Sequence, residues 1–482
     1  MNIAKKIEAG VFALAKPIAN AFWPDPRKSI PKAEQTGFNK PGAYFENNFA
    51  PVTEEVTLTE LNVKGTIPEE LTGRYLRSGP NPFGEYDPLN DHWFRAEGMI
   101  HGIRLANGKA DWYRNRWVRT AEMAETLGED VAGRNLTFSP NIHIFPHAGK
   151  TWSLVESTMA PVEIGYELDT IGQPAGWGTF TGHPKIDPDT GEMHGICYNP
   201  QKYPKKIKYV VVDKAGILKK IVEVPMPASV MIHDMAITKN YVIIFDLPIR
   251  FSFKQLFKGH KIPFEWSDEH EPRVGLLPRD GEAKDIIWCE VDPCFVFHPM
   301  NAYEDDDGSV VLDVFRLDYA FKNDIYGPMG DSLPKMFRWT VNPKTCRVSE
   351  VLIDERTREF PDFHRDLEGK PYRFGYSLAA QENVSFPGFY KNDVVSGESW
   401  YHDFGAGRHG AEPTFVPKKG ATNEDEGYLI AYIYDGNRNA SELMIIDAQD
   451  FTAPPLAVIE LPVRVPFGFH GSWVPDSLIL TS

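Results

Sequence analysis

Past about residue 50 the chain is written as short apolar runs broken by turn signals. YVIIFDLP, GSVVLDVFRL, EGYLIAYIYD and SELMIIDAQ are rich in β-branched and aromatic residues, the composition of half- or fully buried strands. ANGK, HAGK, DPDTGE, DKAG, DDDG and NPKT separate such runs, and each supplies the Gly, Asn, Asp or Pro that a tight turn requires. No helical block interrupts the series. The pattern predicts an all-β chain of repeated strand–turn–strand units. Many similar hairpins in one long domain favour a propeller over a sandwich or a single barrel.

Two stretches depart from this pattern. In MNIAKKIEAGVFALAKPIANAFWP, the residues Ile3, Ile7, Val11, Leu14 and Ile18 recur at helical spacing, with Lys5, Lys6 and Lys16 between them. That predicts an amphipathic helix over 1–24, suited either to a membrane surface or to packing on its own domain. The second stretch, DLPIRFSFKQLFKGHKIPFEW, mixes Ile249, Phe251, Phe253, Leu256 and Phe257 with Arg250, Lys254, Lys258 and Lys261. A loop over 249–264 that is both apolar and basic predicts a second contact with a membrane surface.

Composition narrows the function classes. A net charge of −16 argues against nucleic-acid binding, which needs a basic surface. No run of 18 apolar residues is present, so no spanning helix is expected. The four cysteines, Cys197, Cys289, Cys294 and Cys346, form no CxxC pair. They read as reduced thiols of a cytoplasmic chain, peripherally associated with a membrane if its apolar stretches engage one.

Four of the 14 histidines share a setting. His183 in TFTGHPKIDPDTGEMHG, His233 in SVMIHDMAITKNYVIIFD, His298 in CFVFHPMNAYEDDDG and His470 in VPFGFHGSWVP each stand near a strand boundary. In a propeller, residues so placed on different blades meet at the axis, where a metal can sit. A two-His-one-carboxylate site using His233 and Asp234 is disfavoured, because neighbours in a strand face opposite ways. Four neutral imidazoles leave the ion its full charge and open positions, which suits Fe(II) better than structural zinc. Ligating imidazoles usually donate their second N–H to a carboxylate. Glu156, Glu359 and Glu412 are the candidates. His101, His143 and His194 read as structural or surface residues. Trp93, Phe94, Phe295, Phe297, Phe467 and Phe469 read mainly as propeller core, with a few lining a tunnel.

Nine segments together resemble the carotenoid cleavage oxygenase family, whose members cleave carotenoids, apocarotenoids and stilbenes. They are GRYLRSGPNPF (73–83), HWFRAEGMIHG (92–102), YRNRWVRT (113–120), GHPKIDPDTGEMHG (182–195), IHDMAITKNYVIIFD (232–246), FHPMNAYED (297–305), EFPDF (359–363), EPTFVP (412–417) and FGFHGSW (467–473). The resemblance implies a seven-bladed β-propeller, with loops and short helices forming a dome over an axial metal. It divides the chain into an N-terminal amphipathic segment and linker, 1–40, and a single catalytic propeller, 41–482. It places one Fe(2+) on His183, His233, His298 and His470, supported by Glu156, Glu359 and Glu412. The implied reaction is cleavage of a C=C bond by O2, giving two carbonyl compounds.

Substrate class turns on a few positions. The stilbene-cleaving group binds a phenol through a tyrosine and a lysine. The matching positions here are Trp117 and Val155, which favours an apolar polyene over a hydroxystilbene. Many members carry Asn-Thr near the open metal position, whereas this chain has Asn141–Ile142. An apolar residue there also occurs in the non-oxidative retinoid isomerase of the family. Trp117, Ile142, Val155 and Phe297 are the expected substrate contacts.

Overall fold

In a computed structural model, residues 36–131, 136–174 and 176–479 are described. The amphipathic segment expected over 1–24 lies outside them. Strands dominate, arranged in seven antiparallel sheets that form the blades of a β-propeller. The expected turns fall where predicted: DDDG joins Phe295–Glu304 to Val310–Leu317, and NPKT joins Lys335–Asn342 to Arg347–Asp354.

Blades are numbered here by their place around the axis. Blade 1 mixes both ends of the described chain: Gly73–Pro80 pairs with Gly471–Pro475 on one side and Gly98–Ala106 on the other. Blades 2 to 6 begin at the axis with His143–His147, Lys185–Ile186, Met235–Ile237, Phe295–Glu304 and Arg358–Phe363, each followed outward by later strands in chain order, with the hairpin Ile249–Phe251 and Phe264–Trp266 set apart from blade 4 as a sheet of its own. Blade 7 carries Thr414–Pro417 against Gly427–Asp435, and takes Asn62–Gly65 as its outer strand beside Ala457–Glu460. These two mixed sheets close the ring, so no blade is left with an open lateral face.

Blades are held together by apolar side chains between the sheets. The largest cluster joins blades 3, 4 and 5 through residues such as Tyr209, Ile243, Leu276, Leu312 and Trp339, all buried. Over one end of the axis the connections are long and aromatic. Three short 3-10 turns, Gly37–Asn39, Ala43–Phe45 and Asn47–Phe49, and a fourth, Trp93–Arg95, lie there. Phe38 precedes the 40/41 boundary read from the sequence, yet its ring packs 6.1 Å from that of Phe386.

Candidate metal centre and the cavities beside it

Each blade sends one polar side chain to the axis, six from the first part of the inner strand or just before it and Glu156 of blade 2 from just after the second strand, Lys150–Leu154. Blades 3, 4, 5 and 1 contribute His183, His233, His298 and His470; blades 2, 6 and 7 contribute Glu156, Glu359 and Glu412. The four histidines are all buried, and one nitrogen of each lies within 4.8 Å of the others. His233 Nε2 and His298 Nε2 are 3.2 Å apart.

Backbone irregularities aim these side chains. The ladder between Phe295–Glu304 and Val310–Leu317 shifts register on both sides of Pro299, directly after His298. The ladder of Arg358–Phe363 shifts between Glu359 and Asp362. Such bulges add a residue to one strand and turn a side chain out of the pleat. Phe360, inside the second bulge, has φ 54°, a conformation a bulky residue adopts only when its surroundings impose it. Near His470 a close approach is needed: a Cβ on Gly79 would sit 2.7 Å from Gly468 Cα. Glycine at both positions lets blade 1 touch the FGFHG segment, and His470 N then donates to Ile142 O at 3.1 Å.

Three of the four imidazoles are held from behind. His233 Nδ1 lies 3.1 Å from Glu156 Oε2, His298 Nδ1 2.7 Å from Glu359 Oε2, and His470 Nδ1 2.7 Å from Glu412 Oε1. Glu156 is fixed in turn by the Tyr198 hydroxyl, which donates to it. A carboxylate on Nδ1 fixes the tautomer and leaves Nε2 as a lone-pair donor. His183 has no such partner among the described residues, and its Nε2 is buried without any hydrogen bond. An orphaned buried nitrogen is costly. Three other imidazole nitrogens converge beside it, with a spread close to twice the roughly 2.0–2.1 Å of an imidazole–metal bond. The donor set therefore fits a metal ion.

Electrostatics agree. Burial, reinforced by the neighbouring imidazoles, holds His183 and His470 well below the usual histidine range, and brings His298 down to about 3. All three are neutral near pH 7, as metal ligands must be. At His233 burial also pulls downward, but Glu156, with Asp234 and Glu359, outweighs it and the net shift is upward. Burial pushes Glu359 up to about 8. Asp234 meets Lys185 Nζ at 2.9 Å, so it is occupied by an ion pair.

Two cavities meet at the histidines. The first, about 40 Å³, lies under the dome. Its wall is aromatic and aliphatic: Phe297 stands 5.0 Å from the His233 ring and Phe360 5.6 Å from the His298 ring. Ile142 lines it as well. Its methyl would be 2.9 Å from a Cβ on Gly182, which explains the glycine before His183. The wall also takes Trp93, Phe94, Phe467 and Phe469, residues read from the sequence mainly as core. Phe295 alone of that group stays outside it, stacked edge-on to Phe297 at 4.8 Å. The turns over 37–49 add Phe38, Tyr44 and Phe49, which the sequence reading did not single out. Their only sequence signal is an aromatic density in GFNKPGAYFENNF unusual for a linker.

Two expected contacts lie elsewhere. Trp117 ends the fourth strand from the axis in blade 1. Its ring packs with Met99, Met123 and Phe83, and its Nε1 donates to Asn81 O at 2.9 Å. It is too far out in its blade to reach the cavity. Val155 is buried in the cluster that holds Ile142 but does not line the cavity. The second cavity, about 560 Å³, runs along the inner strands and touches His183, His298 and His470. His143 lines it, with its ring 5.2 Å from that of His470 and its Nε2 3.3 Å from Ser472 Oγ. His101 and His194 are structural: each holds a tyrosine hydroxyl, at 2.9 and 2.8 Å.

Comparison with known proteins agrees with this architecture. Residues 49–475 match the family model described as RPE65, retinal pigment epithelial membrane protein. A carotenoid cleavage oxygenase of Mycobacterium tuberculosis is 37% identical, over 90% of this chain and 98% of the relative. The crystal structure of cobalt-substituted Synechocystis apocarotenoid oxygenase superposes with a TM-score of 0.80 at 26% identity, covering 91% of this chain and 99% of that one. A Pseudomonas brassicacearum lignostilbene dioxygenase shares the fold, with a TM-score of 0.80 at 24% identity over 90% of this chain and 98% of that one. The chain thus belongs to the RPE65 and carotenoid cleavage oxygenase family.

Proposed function

We propose that the protein is a non-haem Fe(II) dioxygenase that cleaves one C=C bond of an apocarotenoid or carotenoid with O2, giving two carbonyl products. The observation that carries the substrate class is the wall of the cavity under the dome. Away from His233, His298, His470 and Glu359 at the metal side, it is built from phenylalanines, Trp93, Ile142 and Leu317, with no lysine or arginine. Its one phenol, Tyr44, already accepts a hydrogen bond from Met329 N at 3.3 Å. A hydroxystilbene whose phenol rests on the aromatic part of this wall would leave it unpaired, at a cost of about 1–3 kcal/mol; a polyene needs no partner. Trp117 no longer enters this argument, because it lies outside the cavity.

The chain's residues divide the work. His183, His233, His298 and His470 would hold the ion, with Glu156, Glu359 and Glu412 orienting three of them. A ferrous ion supplies the one-electron reactivity toward O2 that a closed-shell alkene lacks. The aromatic wall excludes water and fixes one double bond beside the histidines. Both oxygen atoms of O2 end in the two carbonyls, so the reaction balances without a protein acid or base.

The decisive experiment is aerobic incubation of Fe(II)-loaded protein with an apocarotenal, β-carotene and resveratrol, separately, with products identified by mass spectrometry. Two new carbonyl fragments from a polyene alone support the reading. Hydroxybenzaldehydes from resveratrol would replace it with stilbene cleavage, and an oxygen-independent isomer would point to Ile142 and an isomerase.

Such a substrate resides in membranes, and one surface feature suits its retrieval. The short helix Phe253–Phe257 exposes 67% of Phe253 and 47% of Phe257, flanked by Lys254 and Lys261. No described helix is long and apolar enough to cross a bilayer, so contact would be peripheral. Replacing both phenylalanines by serine should reduce co-flotation with anionic liposomes several-fold; unchanged flotation would remove this helix from the membrane reading.

A further inference from the structure

The 560 Å³ cavity has no part in the reaction as drawn above. All seven blades contribute to it, and it descends from an exposed rim at Lys214, Asp366 and Leu478 to His183, His298 and His470. We infer that this axial channel is the path by which the divalent metal ion enters, separate from the aromatic cavity that takes the hydrocarbon. The inference rests on the metal reading of the four histidines.

Three observations carry it. His183 lines the channel and not the aromatic cavity, and it is the ligand with no carboxylate behind it. Its Nε2, buried and unpartnered, is a donor aimed where an arriving cation would meet it. Second, the channel wall holds five carboxylates, Asp234, Asp362, Asp366, Glu368 and Glu412, against three cations, Lys185, Lys214 and Arg365. Lys185 is taken by Asp234 at 2.9 Å, and Arg365 by Asp362 and Glu368 at 2.7 and 3.1 Å. Asp366 is offset at the rim by Lys214, and Glu412 beside His470 stands outside those pairs, so the two surplus carboxylates lie deeper, at the Asp362–Glu368 pair on Arg365 and beside His470. A cleft lined by one sign of charge concentrates the opposite ion and raises its association rate. Third, the alternative route is poor. The aromatic cavity offers about 40 Å³ and few polar atoms, and a dication stripped of water against phenylalanine rings faces a large desolvation penalty.

The test follows metal arrival rather than turnover. Apoprotein is mixed with Co²⁺ at low ionic strength, and the visible absorption of the tetra-imidazole site is read by stopped flow. Bound metal is then counted at equilibrium. Asp366→Lys should slow uptake several-fold and Leu478→Asp should quicken it, each still reaching one Co²⁺ per chain, as expected for single charges at a steering entrance. Both differences should shrink as salt is raised, because exposed charges are screened. Both positions are exposed, so the folds are expected to survive, and thermal melts check it. Uptake of one Co²⁺ per chain at a rate indifferent to both substitutions and to salt would overturn the entry path and leave the metal site intact. Failure of the unsubstituted protein to bind Co²⁺ at all would overturn both.

Discussion

The two cavities share two imidazoles, His298 and His470, and no other wall residue. The one under the dome is small and walled by rings that come mostly from connections: Phe38, Phe49 and Trp93 from short turns, Phe467 and Phe469 from the segment before the last strand. The axial channel is larger, carries charged as well as apolar side chains, and is walled mainly by the inner strands and the residues that flank them. The candidate metal centre is therefore written in the propeller's frame, and the wall of the aromatic cavity in what is hung from it. A rigid frame can hold ligands to within fractions of an ångström, while loops vary the pocket. Changes on the two sides should separate metal binding from substrate handling.

The sharpest break comes from removing what both sides share. His298→Ala should keep the propeller but lose metal and turnover together, with affinity falling by more than the about 10–100-fold expected for an outer partner. Metal analysis after dialysis checks it, and a variant that retains one ion per chain would show that His298 is no ligand. Next in size is a change on the aromatic side alone. Phe469 is buried between Trp93 and Phe94, its ring 4.6 and 5.3 Å from theirs. Phe469→Ala should cost about 3–5 kcal/mol of stability and alter the products, yet keep one metal per chain. Loss of metal in a folded Phe469→Ala protein would mean that the two sides are not separable.

Much of the ligand side was legible in the sequence, for a physical reason. A histidine at the inner end of an apolar strand is anomalous, and four such anomalies near strand boundaries can meet only at an axis. DDDG and NPKT named their turns because Asp, Asn and Gly fit few other conformations. The aromatic wall was not legible. A phenylalanine facing a cavity and one facing the core give the same apolar position, so Phe467 and Phe469 read mainly as core. Trp117 shows the converse: a motif position suggested substrate contact, but only the strand order shows that it stands four strands from the axis. The bulges at His298 and Glu359 were hidden as well, since a register shift depends on both strands and on the tertiary frame.

Glu359→Gln sharpens the comparison from behind the centre. The amide keeps the shape and can still accept the Nδ1 proton of His298, but it removes a negative charge that strengthens the ligand. Metal affinity should fall by about 10–100-fold, with the aromatic cavity and the fold unchanged. An affinity equal to that of the unsubstituted protein, from competition with a chelator, would reduce Glu359 to packing.

The smallest effect is one of pH, and it distinguishes the empty centre from the loaded one. In the apoprotein Glu359 is raised by burial to about 8, from an unperturbed 4.5. Between those values the native state holds a proton that the unfolded chain has released, so stability falls as pH rises toward 8. His233, shifted upward by Glu156 against its burial, adds to the same loss above 6.5. Below 6.5 the sign reverses. His183, His298 and His470 are held neutral in the fold and take protons only on unfolding, so stability rises as pH climbs toward 6.5. Histidines that the fold holds neutral keep adding stability somewhat above 6.5, so the Glu359 contribution is read as a difference: between pH 6.5 and 8 the apoprotein should lose about 1–2 kcal/mol relative to Glu359→Gln apoprotein. A bound dication favours the Glu359 carboxylate through His298, so the metal-loaded protein should lose less, and Glu359→Gln apoprotein less as well. Denaturant unfolding of the three forms at pH 6.5 and 8 checks this. An apoprotein whose stability changes over that interval just as that of the Glu359→Gln form does would show that the buried carboxylate behind His298 is already ionised without a metal, and that the inner face of the propeller is more polar than its packing implies.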